Sequence, residues 1–125
     1  MADDFEHPTY SSETQYDLIV CSDVIEHMED PDMLLSYIKK FAHKDGTILF
    51  STPERDVLRG KDNMHSPNRD HIREWNKEEF TRYLTSRGFT ILGTRLLRDI
   101  GFNFSKSYKP MFSWVPFLPG LLIVT

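Results

Sequence analysis

Apolar positions fall in short runs separated by polar, turn-forming stretches. Leu18, Ile19, Val20 and Cys21 follow Asp17, and the run breaks at Ser22-Asp23. A continuous apolar run of this length, closed by small polar residues, predicts a buried strand at 17–22. Asp30-Pro31 then offers an N-cap and a proline at the first helical position. Leu34, Leu35, Ile38 and Phe41 recur at helical spacing while Lys39 and Lys40 face away, which predicts a helix over 31–42. Asp45-Gly46 turns the chain into a second apolar run, a strand at 47–52. Strand, helix and strand together read as a parallel βαβ unit. Residues 53–75 are polar and lack periodicity, so they read as one long connection. Asn76 with Glu79 forms a capping box, Phe80, Tyr83 and Leu84 make the apolar face of the helix behind it, and Gly88 suits its C′ position. Residues 89–97 alternate as a strand interrupted by Gly93, and Leu121 to Val124 reads as a last short strand. Residues 1–15 have no period and read as a flexible lead-in to a domain over 16–125.

Composition narrows the class without naming a function. The chain of 125 residues is 39% hydrophobic and 27% charged, ordinary for one globular domain. Charge is divided unevenly. Residues 1–38 hold ten of the nineteen acidic side chains and no Lys or Arg, while 39–125 hold all fifteen basic ones. A basic second half suits an anionic substrate such as a nucleic acid or a phosphorylated lipid, although net charge alone is a weak argument. The single cysteine, Cys21, rules out an internal disulfide and fits a reducing, cytoplasmic setting, with Cys21 itself a core residue. Met111 to Val124 is apolar, but it is too short and too rich in proline for a transmembrane segment.

Polar side chains gather where the first strand ends. In open α/β sheets ligands bind outside the carboxyl ends of the strands. Ser22, Asp23 and Val24 occupy that position, and Asp23 can also cap a short helix. On a helical turn Asp23, Glu26 and His27 lie side by side. On the long connection, His65, Arg69, His71, Arg73 and Trp75 lie close together. Arg69 and Arg73 suit bidentate contact with a phosphate or carboxylate. Trp75 can stack on a base or sugar, but its place before the capped helix favours an anchor. Residues 98–120 carry Phe102, Phe104, Tyr108, Phe112, Trp114 and Phe117, which suit either an apolar acceptor pocket or plain packing.

The segment from Tyr16 to Met28 resembles the fourth strand, and the loop after it, of class I S-adenosylmethionine-dependent methyltransferases. Gly46 to Pro53 resembles that family's fifth strand. His71 to Trp75, with Glu79-Phe80 and Gly88-Phe89, resembles the approach to its sixth. The resemblance implies an α/β, truncated Rossmann-like domain with a mainly parallel sheet and an antiparallel last strand. It implies methyl transfer from S-adenosylmethionine, with Ser22, Asp23 and Val24 bordering the cofactor and Glu26, His27 and His71 at the acceptor side as catalytic residues. Within the family, the small-RNA 2′-O-methyltransferases and quinone-pathway O-methyltransferases show a similar acid-x-x-Glu-His, a likeness that implies a hydroxyl oxygen as the acceptor atom. By the same likeness Asp23, Glu26, His27 and His71 are candidate ligands of Mg²⁺ or another divalent metal. Asp23 stands in place of a longer Glu, and Arg73 in place of a Phe. Glu-His also occurs in metal-free members, where it can simply fix the loop by hydrogen bonds. No Gly-x-Gly occurs, so the glycine-rich cofactor loop is missing and activity of this chain alone is expected to be impaired. The alternative is a non-catalytic half-domain that pairs with a partner chain through an open sheet edge at the first strand. The acceptor itself (sugar, lipid, quinone or RNA) stays open.

Overall fold

The computed structural model describes residues 4, 5, 7–97 and 120–124. In chain order they form β1 (Tyr16–Ser22), a single 3₁₀ turn (Ile25–His27), α1 (Pro31–Phe41), β2 (Ala42–Pro53), α2 (Arg55–Arg59), α3 (Lys77–Ser86), β3 (Gly93–Leu97) and β4 (Gly120–Val124). The strands make one sheet in the order β1-β2-β4-β3. β1 and β2 are parallel, with Leu18 opposite Thr47 and Ser22 opposite Ser51. β4 runs antiparallel to both β2 and β3. Three strands therefore share one direction and the last inserts against it, as the resemblance implies.

The helices form where the sequence places their ends. Asp30 accepts from the Asp32 amide at 3.0 Å, and Pro31 opens α1. Asn76 and Glu79 exchange both bonds of a capping box at the start of α3. Leu34, Leu35 and Ile38 of α1, with Phe80 and Leu84 of α3, close over Cys21, Ile48 and Phe50 on one face of the sheet. Fully burying a side chain such as Phe80 contributes roughly 1.5–3 kcal/mol. Phe50 meets Phe80 and Phe89 edge to face at 6.1 and 5.9 Å, a favoured aromatic geometry.

Several expectations are corrected. β1 is not buried on both faces: Leu18 and Val20 are 57% and 62% exposed, while Cys21 points into the core. Successive side chains of a strand alternate between faces, and here the described helices cover only one. β2 starts at Ala42, directly after α1, instead of at 47. Its register against β1 shifts between Tyr16 and Leu18, so Asp45-Gly46 lies within the strand and is not a loop. Only glycine fits there, because a Cβ on Gly46 would sit 2.9 Å from the carbonyl oxygens of both His43 and Tyr16. The connection 53–75 contains α2, capped by Glu54 accepting from the Val57 amide at 2.7 Å; five residues are too few to display a period. The third strand begins at Gly93, not at Phe89. Gly88 takes φ +84°, and the Phe89 amide donates back to the Leu84 carbonyl, so Phe89 completes the helix stop. The lead-in has no helix or strand among its described residues, yet Phe5 packs on Tyr37 and Tyr10 stacks on Phe41, each pair with ring centroids 5.4 Å apart. The aromatic connection from Phe102 to Phe117 lies outside the described residues.

Candidate active site at the strand ends

Parallel pairing sets the carboxyl ends of β1 and β2 side by side. The Ser22 and Ser51 hydroxyls lie 2.7 Å apart, and the Asp23 amide donates to the Ser51 carbonyl at 2.9 Å. Asp23 takes φ 51°, a left-handed conformation that Asp tolerates better than most residues. Its carboxylate accepts from the Ser22 hydroxyl at 3.1 Å. It does not cap the 3₁₀ turn, whose N-cap is Val24 and which has no side-chain capping bond. Ser22 and Asp23 are exposed at the strand end, and Val24 packs against the core.

The turn drives Ile25 into the core and carries Glu26 with it. Only 1% of Glu26 is exposed. A buried carboxylate needs partners, and Thr52 supplies one, donating from Oγ1 at 3.1 Å. Burial pushes the Glu26 carboxyl above its ordinary range, while its hydrogen bonds, that from Thr52 among them, pull the other way. The Glu26 carbonyl accepts from the Ile72 and Arg73 amides at 2.9 and 3.2 Å, which folds the long connection back over the strand end.

That fold-back brings in His71. The His27 and His71 rings meet edge to face, with centroids 4.7 Å apart. His27 Nδ1 lies 2.7 Å from the Asp70 carbonyl oxygen, and His71 Nδ1 lies 2.7 Å from Glu74 Oε1. A carbonyl and a carboxylate only accept, so both Nδ1 atoms carry hydrogen, and in the neutral form of each ring Nε2 carries the lone pair. One donor atom from each of Glu26, His27 and His71 lies within 4.8 Å of the other two. Asp23 is outside this group, so the expected set of four converges as a set of three.

Two supporting residues went unread in the sequence. Thr52 holds Glu26, and Glu74 holds His71. Glu74 is buried and also accepts from Arg59 Nε and Nη2, each at 3.2 Å. Burial pushes its carboxyl up, but hydrogen bonds from Arg59, Ser66 and His71 outweigh that and keep it below the ordinary range. The i, i+3 spacing from His71 was the one available signal. Trp75 is an anchor: it is buried, packs on Phe80 at 5.2 Å and stacks on Tyr83 at 5.9 Å. Arg73 lies over its ring. His65 and Arg69 are exposed and outside the cluster. Arg55 grips Glu79 with both terminal guanidinium nitrogens, Nη1 and Nη2, at 2.7 and 3.0 Å, fastening the connection to α3.

Against known proteins, residues 2–93 match the family model described as a methyltransferase domain. A solved S-adenosylmethionine-dependent methyltransferase from Clostridium acetobutylicum ATCC 824 superposes with a TM-score of 0.58 at 15% sequence identity. The superposition covers 99% of this chain and 62% of that one, so the chain spans less than two thirds of that structure's length. No curated protein matches the chain.

Proposed function

The chain belongs to the methyltransferase-domain family, and on that premise we propose that it forms the acceptor side of a site moving a methyl group from S-adenosylmethionine to a hydroxyl oxygen. The observation that carries this reading is the convergence of Glu26, His27 and His71 at the carboxyl end of β1. The cofactor's ammonium and sulfonium are cationic, and the exposed Asp23 carboxylate and Ser22 hydroxyl offer matching acceptors at that end. In the reaction the carbon–sulfur bond breaks as a carbon–oxygen bond forms. Sulfur keeps the electron pair, and the acceptor's proton must pass to a base. A neutral imidazole with Nδ1 engaged as a donor suits that task through Nε2, and both His27 and His71 have Nδ1 so engaged. Their Nδ1–H bonds hold each ring in this tautomer and orientation.

The same three side chains suit a divalent cation. An imidazole whose far nitrogen donates to a carboxylate or carbonyl is the usual arrangement behind a metal ligand. One carboxylate and two imidazoles fit Mn²⁺, Fe²⁺ or Zn²⁺ better than Mg²⁺. A bound cation would lower the pKa of an acceptor hydroxyl.

The test is transfer of labelled methyl groups from S-adenosylmethionine to a panel of hydroxyl acceptors, with Glu26→Gln and His71→Ala beside the parent chain. Loss in both variants supports the assignment, and unchanged transfer in both removes it. Calorimetric titration of this chain with the cofactor is expected to show weak binding, because its residues include no Gly-x-Gly loop to cradle the methionine part. A low-micromolar dissociation constant, about -8 kcal/mol, contradicts that expectation.

A second reading is supported by the edge position of β1 and the exposure of Leu18 and Val20. In it the chain is a half-domain that pairs through this edge. Lys at both positions should then abolish association in sedimentation experiments, and association that survives both changes excludes the edge as the contact.

A further inference from the structure

A cavity of about 550 Å³ opens between the Ile72–Trp75 segment and α3. Its wall shares Glu74 with the support of His71, but Glu26, His27 and His71 do not line it. Its lining includes three guanidiniums, Arg55, Arg73 and Arg82, and two carboxylates, Glu74 and Glu79. The carboxylates are already engaged: Glu79 by the fork of Arg55, and Glu74 by Arg59 and His71. Arg55 is engaged in turn by Glu79 and Asp56. Arg73 and Arg82 form no ion pair among the described residues and are exposed at the cavity wall. Asp32 lies within electrostatic range of Arg73, but its carboxylate is held by the Arg87 guanidinium and the Tyr83 hydroxyl.

Both free cations stand on fixed supports. The Arg73 amide is tied to the Glu26 carbonyl and its guanidinium lies 5.7 Å from the centre of the Trp75 ring. Arg82 projects from α3. Beside them the wall is apolar, with Ile72 and Met64 at least half exposed. Two guanidinium forks without carboxylate partners match the oxygens of a planar carboxylate or a phosphate. The adjoining apolar wall matches a hydrocarbon body.

We propose that this cavity binds an organic oxyanion, its charged head between Arg73 and Arg82 and its apolar body against Met64 and Ile72. The proposal is independent of the methyl-transfer reading. It is tested by calorimetric titration of the full chain with phenyl phosphate, benzoate and benzyl alcohol at low salt, since such contacts weaken with ionic strength. Tighter binding of either anion than of the alcohol supports the site, and the tighter of the two identifies the head group. Arg73→Gln and Arg82→Gln should each weaken the anion about tenfold, a typical cost for one charged hydrogen-bonding group. Arg→Lys at either position should recover part of the loss. Both arginines are exposed, and circular dichroism is the check that the variants keep the fold. Asp23→Asn, at the strand end, should leave binding unchanged. Equal binding of the alcohol and the anions, unchanged binding in the Gln variants, or loss of binding in Asp23→Asn alone overturns the proposal.

Discussion

His71 donates from Nδ1 to Glu74 Oε1 at 2.7 Å, across three residues of one segment. The bond places the ring's hydrogen on Nδ1, which leaves Nε2 of the neutral ring to carry the lone pair. It also puts the control of that lone pair on a carboxylate that is itself clamped by Arg59.

The first prediction follows from that bond. In a Mn²⁺ titration, Glu74→Gln should lower affinity by about 10–100-fold, the usual cost of losing a partner behind a ligand. His71→Ala should lower it further. Affinity unchanged in His71→Ala would remove His71 from the ligand set and return Glu26 and His27 to fixing the loop.

Thr52 provides the second. It is fully buried and donates to the Glu26 carboxylate. Thr52→Val keeps the shape and removes the donor, so it should cost about 1–3 kcal/mol at neutral pH by urea denaturation. The cost should shrink in a Glu26→Gln background, because the amide does not carry the charge that Thr52 solvates. An equal cost in both backgrounds would show that the hydroxyl acts through something other than Glu26.

The third concerns pH. Burial raises the Glu26 carboxyl above its ordinary 4.5. A raised folded-state pKa favours folding while the group is protonated, and that contribution is lost as pH rises through the folded value. Glu26→Gln stays neutral throughout. Its stability relative to the parent chain should therefore increase as pH rises above about 4.5, the unfolded-chain value. Glu74 behaves in the opposite sense. Its carboxyl is lowered, so its contribution is present above the ordinary value and is lost as pH falls through the folded one. Denaturation curves across this range, for the parent chain and for each Gln variant, separate the two signs. A stability gap for Glu26→Gln that does not change with pH would contradict the first.

Cys21 gives the fourth. Burial, followed by the charges of Glu26 and Asp23, pushes its thiol up to about 12. The thiolate is the reactive form, so at about pH 8 native Cys21 should react with a disulfide reagent on the order of 10³-fold or more slower than in the unfolded chain. Similar rates in the native and unfolded chain would mean that the strand opens readily.

Much of the fold was legible in the sequence because its signals are local. Asp30-Pro31, the Asn76–Glu79 box and Gly88 each act on backbone groups within a few residues, so composition at those points determined where α1 and α3 begin and where α3 stops. The placement of Leu34, Leu35, Ile38, Phe80 and Leu84 followed from helical periodicity alone. Glu26 and His27 stood out because their spacing from Asp23 resembles a methyltransferase motif. Tertiary structure decided what depends on which distant segments meet. Nothing local indicates that Thr52 reaches Glu26 from a neighbouring strand, or that the Ile72 and Arg73 amides close on the Glu26 carbonyl and bring His71 against His27. Asp23 takes a positive φ and turns its carboxylate to the Ser22 hydroxyl, outside the cluster. The exposure of Leu18 and Val20 depends on which face of the sheet the helices cover. An apolar run specifies that a strand forms, while the packing around it specifies which of its faces is buried.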